Sequence, residues 1–205
     1  MSKVVLASSN AKKLAELRRI LEPLVPGIEV LGLADVTPYD EPAETEPTFE
    51  GNALIKARAC LAATGLPSLA DDSGLCVDAL NGMPGVLSAR WSGVAKDAGG
   101  DAANNALLLN QLSDVPDERR TARFRCAVAL CTPDGTELIE LGEMPGRILR
   151  AEQGEGGFGY DPLFAADGYD VSTAELPADE KDRISHRGKA LTAIAPAVVE
   201  ALADD

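Results

Sequence analysis

Apolar positions along this 205-residue chain follow two periods, and each period predicts its own kind of element. KVVLAS (3–8) is a short β-branched run that predicts a buried strand. NAKKLAELRRILEPL (10–24) sets Leu14, Leu17, Ile20, Leu21 and Leu24 at helical spacing, with Ser9 or Asn10 available to cap the start. IEVLGL (28–33) predicts a second strand, followed by an acidic, proline-rich loop over 34–47. TFEGNALIKARACLAATG (48–65) predicts a helix opened by Thr48 and stopped by Gly65. SLADD (68–72) and LCVDAL (75–80) predict two strands joined at Ser73-Gly74, and the Gly- and Ser-rich 81–100 predicts loop. DAANNALLLNQLSDV (101–115) predicts a helix, and 122–149 a hairpin around a PDG turn whose second strand runs on past Gly146. After the glycine-dense GEGGFGYDP (154–162) come a short helix over 172–183 and a closing helix over 185–204, bent or interrupted near Pro196. Alternating strands and helices followed by a hairpin predict a mixed-sheet α/β protein rather than an all-parallel one.

Length adds that the chain suits one large or two-lobed domain, able to bury roughly 70% of the surface its unfolded form exposes. Hydrophobic residues at 45% and charged residues at 25% are ordinary for a soluble globular protein. No apolar run approaches the ~20 residues of a membrane helix. The start, MSKVVLASSN, has too short an apolar run for a secretory signal, so a cytoplasmic location is expected. Cysteines 60, 76, 126 and 131 lie in apolar segments with no CxxC pair, which predicts reduced buried thiols rather than a zinc site. A net charge of −14, from 19 basic and 33 acidic residues, disfavours nucleic acid and anionic membranes as partners. A small anionic ligand stays compatible where a metal ion or a local cluster of bases neutralises it.

Five segments carry candidate chemistry. In ASSNAKK a strand ends in small polar residues and a helix begins, so free backbone N–H groups and Lys13 could meet a phosphate; equally, Ser and Asn there could be plain caps. Asn52 and Lys56 share a helix face, with Glu44 and Glu50 near that helix start; the alternative is an acidic helix start with a solvated lysine. Asp71 and Asp72 stand side by side between an apolar run and a Ser-Gly pair. Such a pair suits a hard divalent cation, and one carboxylate could take a proton from water, unless both only cap local N–H groups. GEGGFGYDP offers close backbone approach and the faces of Phe158 and Tyr160 for a flat ring, or two rings that pin the loop to the core. ISHRGKAL holds the only histidine, His186, beside Arg187, with cations where the helix dipole disfavours them unless an anion or a base edge lies near. Phosphate donors, metal-binding carboxylates, a stacking platform and a donor pair are the parts of a nucleoside triphosphate site.

The same segments carry a resemblance. LASSNAKKLAEL, TFEGNALIKARA, LADDSGLCVDALNGMPGVLSARWSG, GGFGYDPLF and ISHRGKAL occur in this order at compatible spacing, and the chain resembles the inosine triphosphate (dITP/XTP) pyrophosphatase family nearly end to end. The resemblance implies a single two-lobed domain over 1–205: an elongated mixed sheet flanked by helices, with a cleft between the lobes. It implies a homodimer and Mg²⁺-dependent hydrolysis of ITP, dITP and XTP to the monophosphate and pyrophosphate. By the same resemblance, Ser8, Ser9, Asn10 and Lys13 would cradle phosphates and Ser73 would touch substrate. Asp72 would accept the proton and bind metal, with Asp71 and Glu44 supporting the metal and Lys56 neutralising the triphosphate. Phe158, Gly159, Tyr160, Asp161, Lys181, His186 and Arg187 would hold the purine. The family's usual T-G-N is here Ser8-Ser9-Asn10, with Ser9 in place of glycine. Three other readings stand beside this one: a pyrophosphatase of modified pyrimidine or standard nucleotides, a module that binds a triphosphate without cleaving it, and an α/β scaffold whose interface is its function, against which the glycine-rich aromatic loop and the cations at the last helix start count.

Overall fold

The computed structural model describes residues 3–203. In chain order the elements are β1 (Lys3–Leu6), α1 (Ala11–Leu24), β2 (Glu29–Leu31), α2 (Phe49–Thr64), β3 (Ser68–Val77), α3 (Gly100–Gln111), β4 (Thr121–Cys131), β5 (Glu137–Ile148), β6 (Phe164–Ala166), α4 (Ala178–Ile184) and α5 (His186–Ala203). Six strands form one sheet in the order β2-β1-β3-β4-β5-β6. The pairs β1–β2 and β1–β3 are parallel and β5–β6 is antiparallel, so the sheet is mixed as the alternation of elements predicts. No helix among the described residues is long and apolar enough to cross a membrane.

Two compact units divide the chain. The first holds the residues up to Asp72, Cys126–Gly142 and those from Ser185 onward; the second holds Ser73–Arg125 and Glu143–Ile184. Each has its own core. In the first, Val4 and Leu6 of β1, Leu69 of β3 and Val128 and Leu130 of β4 pack with Leu17 and Leu21 of α1 and Leu191, Ile194 and Val198 of α5. At about 1.5–3 kcal/mol per fully buried aliphatic side chain, this face is what holds α1 and α5 on the strands. Pro196 sits inside α5 without ending it, and the expected last helical residue, Asp204, lies outside the described residues. Gly142 permits a close approach to α5: a Cβ there would stand 1.9 Å from the carbonyl oxygen of His186. In the second unit, Leu75, Leu108, Leu112, Phe124, Met144, Tyr160, Leu163 and Phe164 form the core. There Arg120 is buried and donates to the carbonyls of Ile148, Leu112 and Leu149 at 2.9, 2.7 and 2.8 Å.

Several predicted boundaries move. Ser73-Gly74 does not break a strand pair; β3 runs straight through it, and eight of its ten residues are buried. A strand covered on both faces loses the polar alternation by which a strand is recognised, so Ser-Gly reads as a turn when it is only two small residues in a crowded strand. Residues 81–100 contain 3-10 turns at Gly85–Arg90 and Lys96–Ala98. α3 ends at Gln111 rather than 115, and the short β6 is not predicted at all. Within 172–183 only Ala178 onward is helical, because the preceding Ser-Thr stretch bonds elsewhere.

Candidate active site

Successive side chains of a strand point to opposite faces, and β3 uses this to separate its two aspartates. Asp71, 2% exposed, meets α1 and α5: Lys13 Nζ lies 2.9 Å and Arg187 Nε 3.2 Å from its Oδ2. Arg187 in turn pairs with Glu16 of α1 at 3.1 Å. Those four side chains alternate in sign and sum to zero. Asp72 meets α2: Lys56 Nζ lies 3.2 Å from Oδ1, and Asn52 Nδ2 donates to Oδ2 at 3.3 Å. Lys56 also reaches Glu44 at 2.9 Å. Two carboxylates thus share one ammonium, and that group carries one surplus negative charge.

The opposed surroundings push the two carboxyls apart. For Asp71 burial favours the neutral form, but Lys13, Arg187 and Lys56 together with the hydrogen bond from Lys13 outweigh it and hold the group far below the ordinary carboxylate range. For Asp72 burial dominates and Glu44 adds to it; Lys56 and Lys13 only partly compensate, and its affinity for a proton is raised. Burial works against the charge of Lys56, yet Asp72, Asp71 and Glu44 keep it firmly protonated. Adjacent carboxylates with diverging proton affinities are the pattern of acid–base sites.

Local structure fixes the donors. Thr48 caps α2, accepting from Gly51 N at 3.1 Å. One turn in, the fully buried Asn52 accepts from Glu46 N at 2.9 Å and donates to Glu46 O at 3.2 Å, so it ties the end of the acidic loop to Asp72. At α1, the Asn10 side chain accepts from Lys13 N at 3.4 Å and the Asn10 carbonyl from Leu14 N at 2.9 Å. Ser8 and Asn10 are half-buried and Ser9 is exposed. Among the described residues the one non-glycine with positive φ is Asn81, so Ser9 stands without the left-handed backbone that would require glycine. Ser73 follows Asp72 on β3 and is half-buried.

At α5, Ser185 accepts from Gly188 N at 2.9 Å. Arg187 beside it does not lack an anion: Asp71 and Glu16 supply two, which explains the cation at the helix start without a ligand. Arg187 is thus paired within the protein. His186 is buried, at 5% exposure, on the same turn.

The glycine loop belongs to the second unit. Asp161 is buried and builds the loop: it accepts from Phe158 N at 2.8 Å, Thr173 Oγ1 at 3.0 Å and Lys181 Nζ at 2.6 Å. A Cβ on Gly157 would stand 2.2 Å from Asp161 Oδ2, so this closure requires glycine there. Tyr160 joins the core, and its hydroxyl donates to Ser88 O at 2.9 Å. Tyr160 therefore pins the loop, and of the two expected stacking rings only Phe158 stays half-exposed, with Lys181 Nζ 5.4 Å from its centroid.

The predicted set thus separates into Lys13, Asp71 and Arg187; Glu44, Lys56 and Asp72; and Phe158, Asp161 and Lys181. Among the described residues no three or more His, Cys, Asp or Glu side chains group as a metal cage. Glu44 and Asp72 converge on the Lys56 ammonium, while Asp71 meets Lys13 and Arg187. The sequence pattern does not mark Glu16, Asn104 or Asn105 as site residues, and it marks Asn52 only as sharing a face with Lys56. The spacing Lys13–Glu16 on one helix face was the available signal for Glu16.

The family model described as Ham1 family matches residues 4–197. The chain belongs to the Ham1 family. A protein named dITP/XTP pyrophosphatase from Nocardia farcinica is 64% identical over 205 residues, covering 100% of this chain and 98% of that one. One of the same name from Cutibacterium acnes is 55% identical, covering 97% of each. Among solved structures, the nucleoside-triphosphatase (dITP/XTP pyrophosphatase) of Mycobacterium abscessus is 57% identical with a TM-score of 0.77, covering 95% of this chain and 99% of that chain. A HAM1 protein from Coxiella burnetii is 40% identical with a TM-score of 0.84, covering 98% and 100%. The Ham1 match spans the α1 start, α2, β3, the glycine loop and the α5 start.

Proposed function

We propose that this Ham1 chain hydrolyses non-standard purine nucleoside triphosphates, ITP, dITP and XTP, to the nucleoside monophosphate and pyrophosphate, and so cleanses the nucleotide pool. The observation that carries the reading is the pair Asp71 and Asp72: one held ionised in a neutral ion network, the other raised in proton affinity beside a lysine. The names of relatives at 64% and 57% identity support the substrate class.

Asp72 accepts the proton of the attacking water, which its raised affinity suits it to do. Lys13 and Lys56 take the negative charge of the triphosphate and of the departing pyrophosphate. Ser8, Ser9, Asn10 and the N–H groups opening α1 hold phosphate oxygens, and Ser73 contacts substrate beside Asp72. A divalent cation fits the residues present, since Glu44 and Asp72 already converge on one cationic atom in a group with surplus negative charge. Mg²⁺ bound by them supplies Lewis-acid neutralisation of phosphate oxygens. Asp71 supports this arrangement by orienting Lys13.

For the base, Phe158 supplies a stacking face and Lys181 a donor, with Gly159, Tyr160 and Asp161 building the loop that carries the ring; His186 and Arg187 join as purine contacts on the strength of the family resemblance. Inosine and xanthosine carry an acceptor oxygen at position 6 where adenine carries an amino donor. A site built to donate there can reject the amino base by roughly 10⁴-fold. The protein acts in the cytoplasm as a homodimer, in keeping with the family resemblance.

Pyrophosphate release with Mg²⁺ across ITP, XTP, ATP, GTP and pyrimidine triphosphates tests the reading. Rapid release from ITP and XTP, slow release from ATP and loss of activity on chelation are expected. Triphosphate binding without pyrophosphate release would favour the sensing module, and equal rates on ATP or pyrimidine triphosphates would favour a different pyrophosphatase.

A further inference from the structure

Gly159 is held from both of its peptide groups by one helix. Its N–H donates to Asp101 Oδ2 at 3.0 Å, and its carbonyl accepts from Asn105 Nδ2 at 3.2 Å. Asp101 and Asn105 are four residues apart and share a face of α3. Gly159 has φ 62°, a left-handed conformation that favours glycine. Asn105 is 3% exposed and its Oδ1 has no protein partner. Burying an unpaired acceptor is destabilising, so packing alone has no use for asparagine where an aliphatic residue would fit. The neighbouring Asn104 accepts from Ser92 N at 2.7 Å and donates to Ser88 O at 3.3 Å. Ser88 O is also the acceptor for Tyr160. α3 thereby reaches the loop at two successive residues, Gly159 directly and Tyr160 through Ser88.

We propose that Asp101 and Asn105 are positioning residues that clamp Gly159 and thereby set the attitude of Phe158, the ring that meets the base. The proposal rests on the base-recognition role given above to the glycine loop. The other end of Phe158 is already fixed by its N–H on Asp161. Releasing the Gly159 side removes the tether to α3 and leaves the turn bonds between Phe158 and Asp161, the Phe158 N–H on Oδ2 at 2.8 Å and the Phe158 carbonyl on the Asp161 N–H at 3.3 Å, so the substrate must order the ring further on binding. Affinity and base discrimination suffer, while the chemistry at Asp72 in the first unit does not.

The variants separate hydrogen-bond chemistry from bulk. Asp101→Asn keeps an acceptor for the Gly159 N–H, and Asp101→Ala removes it. Asn105→Asp keeps the shape but loses the donor to the Gly159 carbonyl. Amide exchange of the peptide 157–160 is expected to quicken in Asp101→Ala and Asn105→Asp and to stay as in the unaltered protein in Asp101→Asn. Steady-state pyrophosphate release should show KM for ITP raised roughly five- to tenfold in the first two, about the worth of one ordinary hydrogen bond. Their kcat should stay within about twofold, the ITP-over-ATP preference should narrow, and Asp101→Asn should restore all three. Asp101 is half-exposed, so its alanine variant is expected to fold even where Asn105→Asp does not. Equal exchange in Asp101→Ala and Asp101→Asn would overturn the clamp. Faster exchange with unchanged KM would overturn its role in recognition. No release from ITP by the unaltered protein would instead overturn the proposed function, and exchange would still decide the clamp.

Discussion

Replacing Asp71 by asparagine keeps the shape of the side chain and removes one charge from the buried group Glu16–Arg187–Asp71–Lys13. Asp71 is 2% exposed and its Oδ2 faces two cations at 2.9 and 3.2 Å. The variant leaves the two cations of that group against one carboxylate, Glu16, a net positive charge in a poorly solvated place. Removing one partner of a buried pair costs about 3–5 kcal/mol. Unfolding entropy near 2.1 cal/mol/K per residue makes roughly 0.4 kcal/mol/K for a chain of this length, so Tm should fall by about 7–12 °C at pH 7. The pH dependence carries the sharper test. The folded-state pKa of Asp71 lies below its unfolded value, so its contribution is present above about pH 4 and is lost as pH falls through the folded value. Scanning calorimetry of both proteins from pH 7 to pH 3 should therefore show a gap in Tm that is widest above about pH 5 and shrinks in acid. A gap that stays constant to pH 3 would mean the cost comes from packing and not from charge. No gap at pH 7 would mean that Lys13 and Arg187 do not depend on this carboxylate at all.

Asp72→Asn should lower kcat by about 10²–10⁴, the typical worth of a general base. Because burial and Glu44 already disfavour its charge, Tm should change far less than for Asp71→Asn; hydrolysis of ITP at an unchanged rate would remove Asp72 from the mechanism. Arg120→Lys keeps a charge but cannot reach three carbonyls from a planar fork. It should cost about 2–4 kcal/mol in chemical denaturation, and an unshifted midpoint would contradict the role given to Arg120 in the second unit. Burial pushes the Cys131 thiol up to about 11 and Cys126 higher still. Both should resist alkylation at pH 8 until the protein is unfolded, as mass spectrometry of the labelled peptides would reveal; rapid native labelling of Cys126 would mean that its segment opens.

The helices with one clear apolar face, α1 and α5, were legible because Leu17, Leu21, Leu191 and Ile194 recur at helical spacing. Thr48 and Gly65 marked the ends of α2 by the chemistry of capping. β3 was cut at Ser73-Gly74 because a strand buried on both faces carries no alternation. The three residues of β6 were missed because so short a strand exists only by pairing with β5. At the site, the roles of Asp72, Lys56 and Glu44 came from the family resemblance; residue types alone pointed to the Asp71–Asp72 pair. They did not tell which of two adjacent carboxylates meets which lysine, nor that Tyr160 and Asp161 build the loop.

What the sequence by itself determined is what neighbours within about four positions decide: helix spacing, caps, glycine turns and the choice of charged and aromatic side chains. Only the tertiary structure decided the use of those side chains. Strand alternation sends Asp71 toward residue 187 and Asp72 toward residue 56, and α3 reaches Gly159 from 54 positions away. Partners so distant along the chain leave no periodic trace in it. The burial and counter-charges that give each acid its proton affinity come into being when the chain closes around them.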